Sequence, residues 1–167
     1  MNLLKKKMAN LISAQQVIDI SFTNKNTNAL LIKDTMIDAT QEKYLRPVLN
    51  KLYDILIDSP STLTGVNKTL YDNYIIPCLA FYVKYEILPD LCLTTSSKGV
   101  RITSDEFSNL ATDKQRAELA EKTKDFAETL KDKMLHFLED NIADYPDFNK
   151  GVNVSKKSNT FAGIILG

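Results

Sequence analysis

The most apolar part of the sequence is Tyr71-Asp72-Asn73-Tyr74-Ile75-Ile76-Pro77-Cys78-Leu79-Ala80-Phe81-Tyr82-Val83-Lys84-Tyr85. Its apolar residues fall in two stripes that together cover most faces of a helix, which predicts a helix from about residue 66 to residue 88 in the middle of a bundle. Pro77 should kink this helix and Pro89 should mark its end, because proline lacks a backbone donor and crowds the preceding turn. The uncharged run is about half of the roughly 20 residues that span a bilayer. We therefore expect a buried helix and no membrane contact.

On the N-terminal side, short helical patterns alternate with turn residues. Ser13 is a good N-cap for a helix over residues 14–20. A second helix is expected to bury four apolar side chains, those of Leu30, Leu31, Ile37 and Leu45. Pro47 should force a bend, after which a third, short helix is predicted to reach residue 58.

On the C-terminal side, the pattern predicts a β-hairpin near residues 91–103, around the turn Ser96-Ser97-Lys98-Gly99. Thr112 or Asp113 can then cap an amphipathic helix of about 30 residues, on the order of 45 Å long at 1.5 Å per residue. Tyr145-Pro146 should stop it. The chain then becomes polar, and finally apolar at Phe161-Ala162-Gly163-Ile164-Ile165-Leu166. This last strip is too short to form its own core, so we expect it to dock on the parent fold or on a neighbour.

The length of 167 residues fits one domain. The predicted class is mainly α: a helical bundle with a long C-terminal amphipathic helix, a small β-hairpin and an extended C-terminal arm. We divide the chain into a flexible N-terminal arm (1–10), a helical domain (11–148) and the C-terminal arm (149–167).

The charges are balanced, with 21 basic and 21 acidic residues, so the chain has no global field that would attract nucleic acid or anionic membrane. Only Arg46, Arg101 and Arg116 offer the planar fork suited to bidentate phosphate recognition. Lys5-Lys6-Lys7 is not followed by the apolar core of a secretion signal, which predicts an intracellular protein.

The sequence offers little chemistry. Cys78 and Cys92 lack the spacing of zinc or redox centres, and the isolated glycines exclude the phosphate-binding loop and dinucleotide fingerprints. We expect no cofactor, no metal and no catalytic residues. Two weaker interpretations stay open: a small hydrolase that uses carboxylates with His136, and base stacking by the tyrosines near residue 74. A surface or structural role for His136 and core packing of the tyrosines are favoured.

Five segments, taken in order, resemble tailed-phage head–tail connector proteins, above all the adaptor or ring proteins of crAss-like Bacteroidetes-infecting phages. They are Leu11-Ile12-Ser13-x-x-x-Val17, Ile37-x-x-x-Gln41-x-x-Tyr44-Leu45-Arg46-Pro47-Val48-Leu49, Ile76-Pro77-x-Leu79-Ala80-x-Tyr82, Lys98-Gly99-Val100, and Phe137-Leu138-x-x-Asn141-x-x-x-Tyr145-Pro146-x-Phe148. The resemblance covers nearly the whole chain from Leu11 onward.

The resemblance implies a structural virion protein of the phage neck. Copies would form a homo-oligomeric ring, commonly twelve-fold, that binds the portal protein and an adjacent neck or tail protein and helps seal the packaged head. Genomic DNA would pass through the lumen without sequence-specific binding. The protein would reside in the host cytoplasm during assembly and then in the virion.

Placed on this chain, the resemblance implies that the hairpin and the C-terminal strip contact other subunits or the portal. The expected interface residues are Ser97, Lys98, Gly99, Arg101, Phe161, Ile164, Ile165 and Leu166. The alternative from another class is a free-standing helical protein-interaction or regulatory module that binds a cellular partner through the long charged helix.

Overall fold

The computed structural model describes residues 9–23, 27–91, 93–96, 99–102 and 112–148. The helices are α1 (Ala14–Ser21), α2 (Asp34–Tyr44), α3 (Arg46–Leu49), α4 (Lys51–Asp58), α5 (Gly65–Leu70), α6 (Ile76–Leu91) and α7 (Asp113–Asp140). A π-helical turn, Tyr71–Ile75, joins α5 to α6, and short 3₁₀ turns lie at Ala29–Leu31, Pro60–Thr62 and Ile142–Asp144. The predicted mainly helical class is confirmed. None of the helices in these ranges is both long and apolar enough to cross a bilayer.

The predicted cap at Ser13 is confirmed. The Ser13 hydroxyl accepts a hydrogen bond from the Gln16 backbone N–H at 3.2 Å, and Gln16 Oε1 accepts one from the Ser13 N–H at 2.9 Å. This reciprocal pair is a capping box. Just before it, the buried Gln41 side chain binds the backbone of Leu11 and Ala9 at 3.0 Å each. The end of the predicted N-terminal arm is thus held against α2, while residues 1–8 lie outside the described residues.

The predicted second helix begins later than expected. Leu30 and Leu31 lie in a 3₁₀ turn and are 76% and 53% exposed, so the prediction that they are buried is wrong. The Asn28 side chain accepts a hydrogen bond from the Leu30 N–H at 2.9 Å and starts this separate turn, which ends before α2. Ile32 takes the inward position instead, whereas Ile37 and Leu45 are buried as predicted.

The bend at Pro47 is sharper than the sequence indicates. Pro47 sits in the first turn of α3, a position that tolerates proline. Asn50 then adopts φ 49° and ψ −120° and separates α3 from α4. The predicted third helix is therefore two short helices.

The central helix runs from α5 through the π-helical turn into α6. The Ile76 N–H donates a hydrogen bond to the carbonyl of Tyr71, five residues earlier, which is the pattern of a π-helix. The irregularity expected at Pro77 thus appears as a widened turn just before it. Pro89 does not end the helix: it lies in the last turn of α6, where it removes only one of the final hydrogen bonds.

α6 lies at the centre of the bundle and packs against α1, α2 and α7. Both of its predicted stripes contribute buried side chains: Cys78 and Leu88 come from one, and Leu79 and Tyr82 from the other. Aromatic pairs support this packing: the rings of Tyr44 and Tyr82 stack at 3.9 Å, and those of Tyr74 and Phe137 at 4.3 Å. The tyrosines thus pack against the body of the protein, as the favoured interpretation expects.

α7 begins with a second capping box, between Thr112 and Gln115, and runs for 28 residues. Its C-terminal half buries Met134, Leu135 and Leu138 in the core. Nearer its start, Leu119 and Phe126 are each 48% exposed. The predicted apolar stripe therefore continues past the part of α7 that the core covers.

Two short segments, β1 (Leu93–Ser96) and β2 (Gly99–Ile102), lie antiparallel, with Leu93 opposite Ile102 and Ser96 opposite Gly99. Residues 97 and 98 between them, and the flanking residues 92 and 103–111, lie outside the described residues. The hairpin as a whole stays a prediction. The C-terminal arm, 149–167, also lies outside the described residues.

Candidate interaction surface

An apolar groove of about 390 Å³ opens where the end of α6 meets the start of α7. We call it the α6–α7 groove. It is lined by Leu88, Pro89, Asp113, Arg116, Ala117, Leu119 and Ala120. Two alanines on the α7 side leave space that larger side chains would fill, and Leu119 forms an exposed apolar wall. The volume lies within the range of about 300–1,000 Å³ typical of ligand pockets.

The rim of the groove carries one ion pair, between Arg116 and Asp113. The Asp113 side chain is almost fully exposed, so water screens the pair and it adds little stability. Its effect is to place a polar edge beside an apolar floor. That combination is common where proteins bind other proteins.

An aromatic strip, formed by Phe22, Phe81 and Phe126, crosses the neighbouring surface. The rings of Phe81 and Phe126 lie 4.5 Å apart, which joins α6 to α7. The ammonium group of Lys84 lies 4.9 Å from the Phe22 ring and 5.9 Å from the Phe81 ring, so it links the strip to α1.

Lys84 also fixes the end of α1. Its Nζ donates a hydrogen bond of 2.7 Å to the Ser21 carbonyl, one of the carbonyls in the last turn of the helix. A cation is favoured at this end of a helix dipole. Burial lowers the pKa of Lys84 from its ordinary value, because water is partly excluded from the ammonium group.

A third apolar feature, the leucine tip, consists of Ile20, Leu30 and Leu31. All three are exposed, and the turn that carries the two leucines contacts α1. Single exposed apolar side chains are ordinary, but several on neighbouring elements mark an interaction surface. The groove, the aromatic strip and the leucine tip are therefore the candidate interaction surface of the described residues.

Two further clusters of polar side chains lie between packed helices and are not part of the candidate interaction surface. Glu86 accepts hydrogen bonds from Tyr44 at 2.5 Å and from Lys43 at 2.8 Å, which ties α2 to α6. Burial, with a further contribution from Glu86, raises the pKa of Tyr44 to about 12. In the second cluster, burial and the nearby Glu128 carboxylate raise the pKa of Tyr82 far above its ordinary value. The Tyr44 phenol, held neutral in this way, donates its hydrogen bond to Glu86.

His136, which was considered for hydrolysis, does not line the α6–α7 groove. The His136 side chain is 57% exposed, and its Nδ1 lies 4.0 Å from Glu139 on the same helix. Cys78 is fully buried, and burial raises the pKa of its thiol to about 12, so it is not a thiolate at neutral pH. In the parts of the chain that the structure describes, no three metal-ligating side chains cluster.

Of the predicted interface residues, Gly99 and Arg101 lie in β2, where they pair with Ser96 and Thr94. The others, Ser97, Lys98, Phe161, Ile164, Ile165 and Leu166, lie outside the described residues. Their role as an interface stays a prediction.

Sequence reasoning missed the groove and the leucine tip. Leu119 and Phe126 repeat at helical spacing with buried residues, and the spacing alone cannot distinguish a stripe that meets the core from one that extends beyond it. For the tip there was one local signal: Asn28, a capping residue, precedes Leu30 and begins a turn of its own.

The profile of a family described as "Family of unknown function (DUF6712)" matches residues 2–158. No curated protein and no solved structure matches the chain. The match spans the whole described bundle and residues 149–158 of the C-terminal arm, and it ends before the apolar strip of residues 161–166. The chain therefore belongs to DUF6712, a family of unknown function.

Proposed function

We propose that this protein is a structural component of the tailed-phage neck, whose copies form a ring that joins the portal to the tail and helps to seal the packaged head. The observation that carries the proposal is the candidate interaction surface on a well-packed bundle: an apolar groove, the exposed leucine tip and an aromatic strip whose exposed member is Phe126. The ordered resemblance to connector proteins gives the partner class.

A ring subunit needs a rigid body and two different surfaces that meet head to tail. The bundle supplies rigidity through its capping boxes, its stacked tyrosines and the Glu86 cluster. The candidate interaction surface would supply one of the two surfaces, and the hairpin and the C-terminal arm would supply the other. This arrangement supports a heterologous contact, which closes into a ring when its rotation permits.

The hairpin near residues 91–103 and the C-terminal arm complete the proposal. Strands that extend from a helical body can add to a neighbour's sheet through backbone hydrogen bonds. In this reading the turn residues and the apolar strip, including Lys98 and Ile165, contact a second copy or the portal.

The balanced charge fits a conduit for DNA. A lumen that bound phosphates strongly would hold back the passing genome, because each neutralised phosphate adds to the affinity. We accordingly propose passage without sequence-specific binding, in the virion and, before that, in the host cytoplasm.

In this proposal the protein makes and breaks no covalent bond. The exposed position of His136 and the neutral, buried thiol of Cys78 support that reading. Replacing His136 with alanine should leave assembly intact. A defined turnover activity that the His136→Ala variant loses would instead favour a hydrolase.

A second candidate is a free-standing helical module that binds a cellular partner. Leu119 and Phe126, which are exposed on the long helix, favour it, because they could occupy a partner's groove as helical anchors. Such a module would not need to associate with itself. The genes beside the protein's own gene also distinguish the two candidates, since a connector gene should lie among portal, capsid and tail genes.

The test is co-expression of the chain with the portal protein encoded in the same phage genome, followed by size exclusion with light scattering. We expect a portal-bound species that contains about twelve copies of the 18.8 kDa chain. The test variant is Leu119→Asp, which places a charge in the groove and should prevent the copies from assembling into the ring. Monomers that never associate with the portal or another neck protein would contradict the proposal.

A further inference from the structure

We propose that the α6–α7 groove of one copy receives the apolar strip of residues 161–166 from a neighbouring copy. This inference rests on the ring proposed above and names the contact that would hold its subunits together. It concerns Leu88 and Leu119 of the groove on one side, and Phe161, Ile164, Ile165 and Leu166 on the other.

The strip and the α6–α7 groove are chemically complementary. The strip is apolar and follows a polar linker, residues 149–160, that includes Lys150, Lys156 and Lys157. The groove has an apolar floor and a polar rim, with Leu119 about half exposed. Burying exposed leucine and isoleucine side chains against each other removes apolar surface from water, which favours association.

The point at which the arm begins indicates whether the strip docks in the groove of its own chain or in that of a neighbouring copy. Tyr145 Oη donates to the Val66 carbonyl at 2.7 Å, and the Phe148 N–H donates to the Tyr145 carbonyl at 3.0 Å. The described chain therefore leaves the bundle beside the start of α5. Leu88, which lines the groove, lies at the other end of the same continuous helix.

The separation along that helix is large for the linker. From Val66 to Leu88 the axial rise is about 33 Å at 1.5 Å per residue. A flexible chain of the length from Phe148 to Phe161 has an r.m.s. end-to-end distance of about 20 Å. It can reach at most about 45 Å when fully extended.

Docking on the chain's own groove would therefore stretch the linker well beyond its mean dimension. A linker stretched in this way lowers the effective concentration of the strip at the groove. A neighbouring copy avoids this cost when its groove lies within about 20 Å of the point where the arm begins. In a head-to-tail ring every copy would donate one strip and accept one.

A disulfide test separates the possible partners. Cys92→Ser provides the background, and Cys78 can stay because it is buried and is neutral at neutral pH. One chain then carries Leu119→Cys and a second, co-expressed chain carries Ile164→Cys. Ile165→Cys is tested in parallel, because a disulfide tolerates only a narrow range of Cα separations, about 4.4–6.8 Å.

Mild oxidation should give a band at twice the mass of one chain that disappears on reduction. Neither variant expressed alone should give it. Ile55→Cys, at a comparably exposed site on α4, replaces Leu119→Cys in the control and should lower the yield of the band at least tenfold.

Two results would overturn the inference. A third chain carries both Leu119→Cys and Ile164→Cys. One contradicting result is a bond that forms inside this chain while the mixed pair of chains gives none. The other is the absence of any bond in both strip variants. Light scattering on the same samples separates this failure from that of the proposed function: an assembled species without the bond rejects only the strip contact, whereas monomers in every sample reject the ring as well.

Discussion

Asn50 carries the least favourable backbone conformation among the described residues. Its φ of 49° with ψ of −120° lies in a region that side-chain-bearing residues rarely adopt and that glycine adopts freely. Such a conformation costs on the order of 1–3 kcal/mol. It persists because the chain must turn between α3 and α4, whose buried residues Leu49 and Leu52 hold both ends in the core.

We expect Asn50→Gly to raise the free energy of unfolding by about 1 kcal/mol, since relief of the strain exceeds the entropy that glycine loses on folding. Chemical denaturation followed by circular dichroism measures the change. Asn50→Ala, which relieves no strain, is the control and should not stabilise the protein. A lower midpoint for the glycine variant would contradict this account of the turn.

The raised pKa of Tyr44 predicts how the free energy of unfolding changes at alkaline pH. In the fold its pKa is raised from 10.0 to about 12, mainly by burial and also by its hydrogen bond to Glu86. Between these values the unfolded chain has lost the phenolic proton and the folded chain still holds it, so stability falls as pH rises. Cys78, raised from 9.0 to about 12 by burial, acts in the same direction.

The variant Tyr44→Phe keeps an aromatic ring to stack on Tyr82 but loses the hydrogen bond to Glu86. It should be about 1–2 kcal/mol less stable than the wild type at pH 8. The difference should shrink as the pH rises from 10 to 12. Unfolding free energies measured across this range check the prediction, and parallel pH curves for the two proteins would refute it.

The start of α7 depends on its capping box. Thr112 and Gln115 exchange hydrogen bonds at its start, and the same first turns form one wall of the α6–α7 groove. Few core contacts hold this end, since the residues around Leu119 are largely exposed. The cap therefore supports the groove directly.

Thr112→Ala should cost about 1 kcal/mol, the usual effect of losing such a cap. Amide hydrogen exchange should accelerate in residues 113–120 and stay unchanged around Met134, which is buried. Thr129→Ala, which removes an exposed hydroxyl from mid-helix, is the matched control. Equal protection of both ends of α7 in the Thr112→Ala variant would show that the cap does not hold the groove.

These elements also show what can be predicted from the sequence. The caps at Ser13 and Thr112 were predictable because they involve residues only three positions apart. Pro89 was predicted wrongly because packing decides whether a helix tolerates a proline in its last turn. The exposed Leu30 and Leu119 were missed for a similar reason: a periodic pattern identifies an apolar face but not the partner that covers it.

In the whole molecule, different side chains determine stability and assembly. Leu119→Asp and Leu30→Asp change exposed side chains, so each should alter the free energy of unfolding by no more than about 0.5 kcal/mol. Leu119→Asp should nevertheless abolish self-association, because it puts a charge on an apolar contact surface. Thermal unfolding and light scattering on the same samples measure the two properties.

Leu79→Asp is the opposite control: it places a charge in the core of α6 and should unfold the protein. If Leu119→Asp destabilised the chain to a similar degree, Leu119 would belong to the core and the α6–α7 groove would not be a contact surface. If it left self-association unchanged, the subunits would have to meet elsewhere.

If copies of this chain fit against one another and against the portal in a phage neck, electron microscopy of purified particles should show them there. We expect a closed ring beneath the portal in which helical density repeats once per copy and fits α6 and α7. A particle whose neck contains no density for this chain would contradict the proposal.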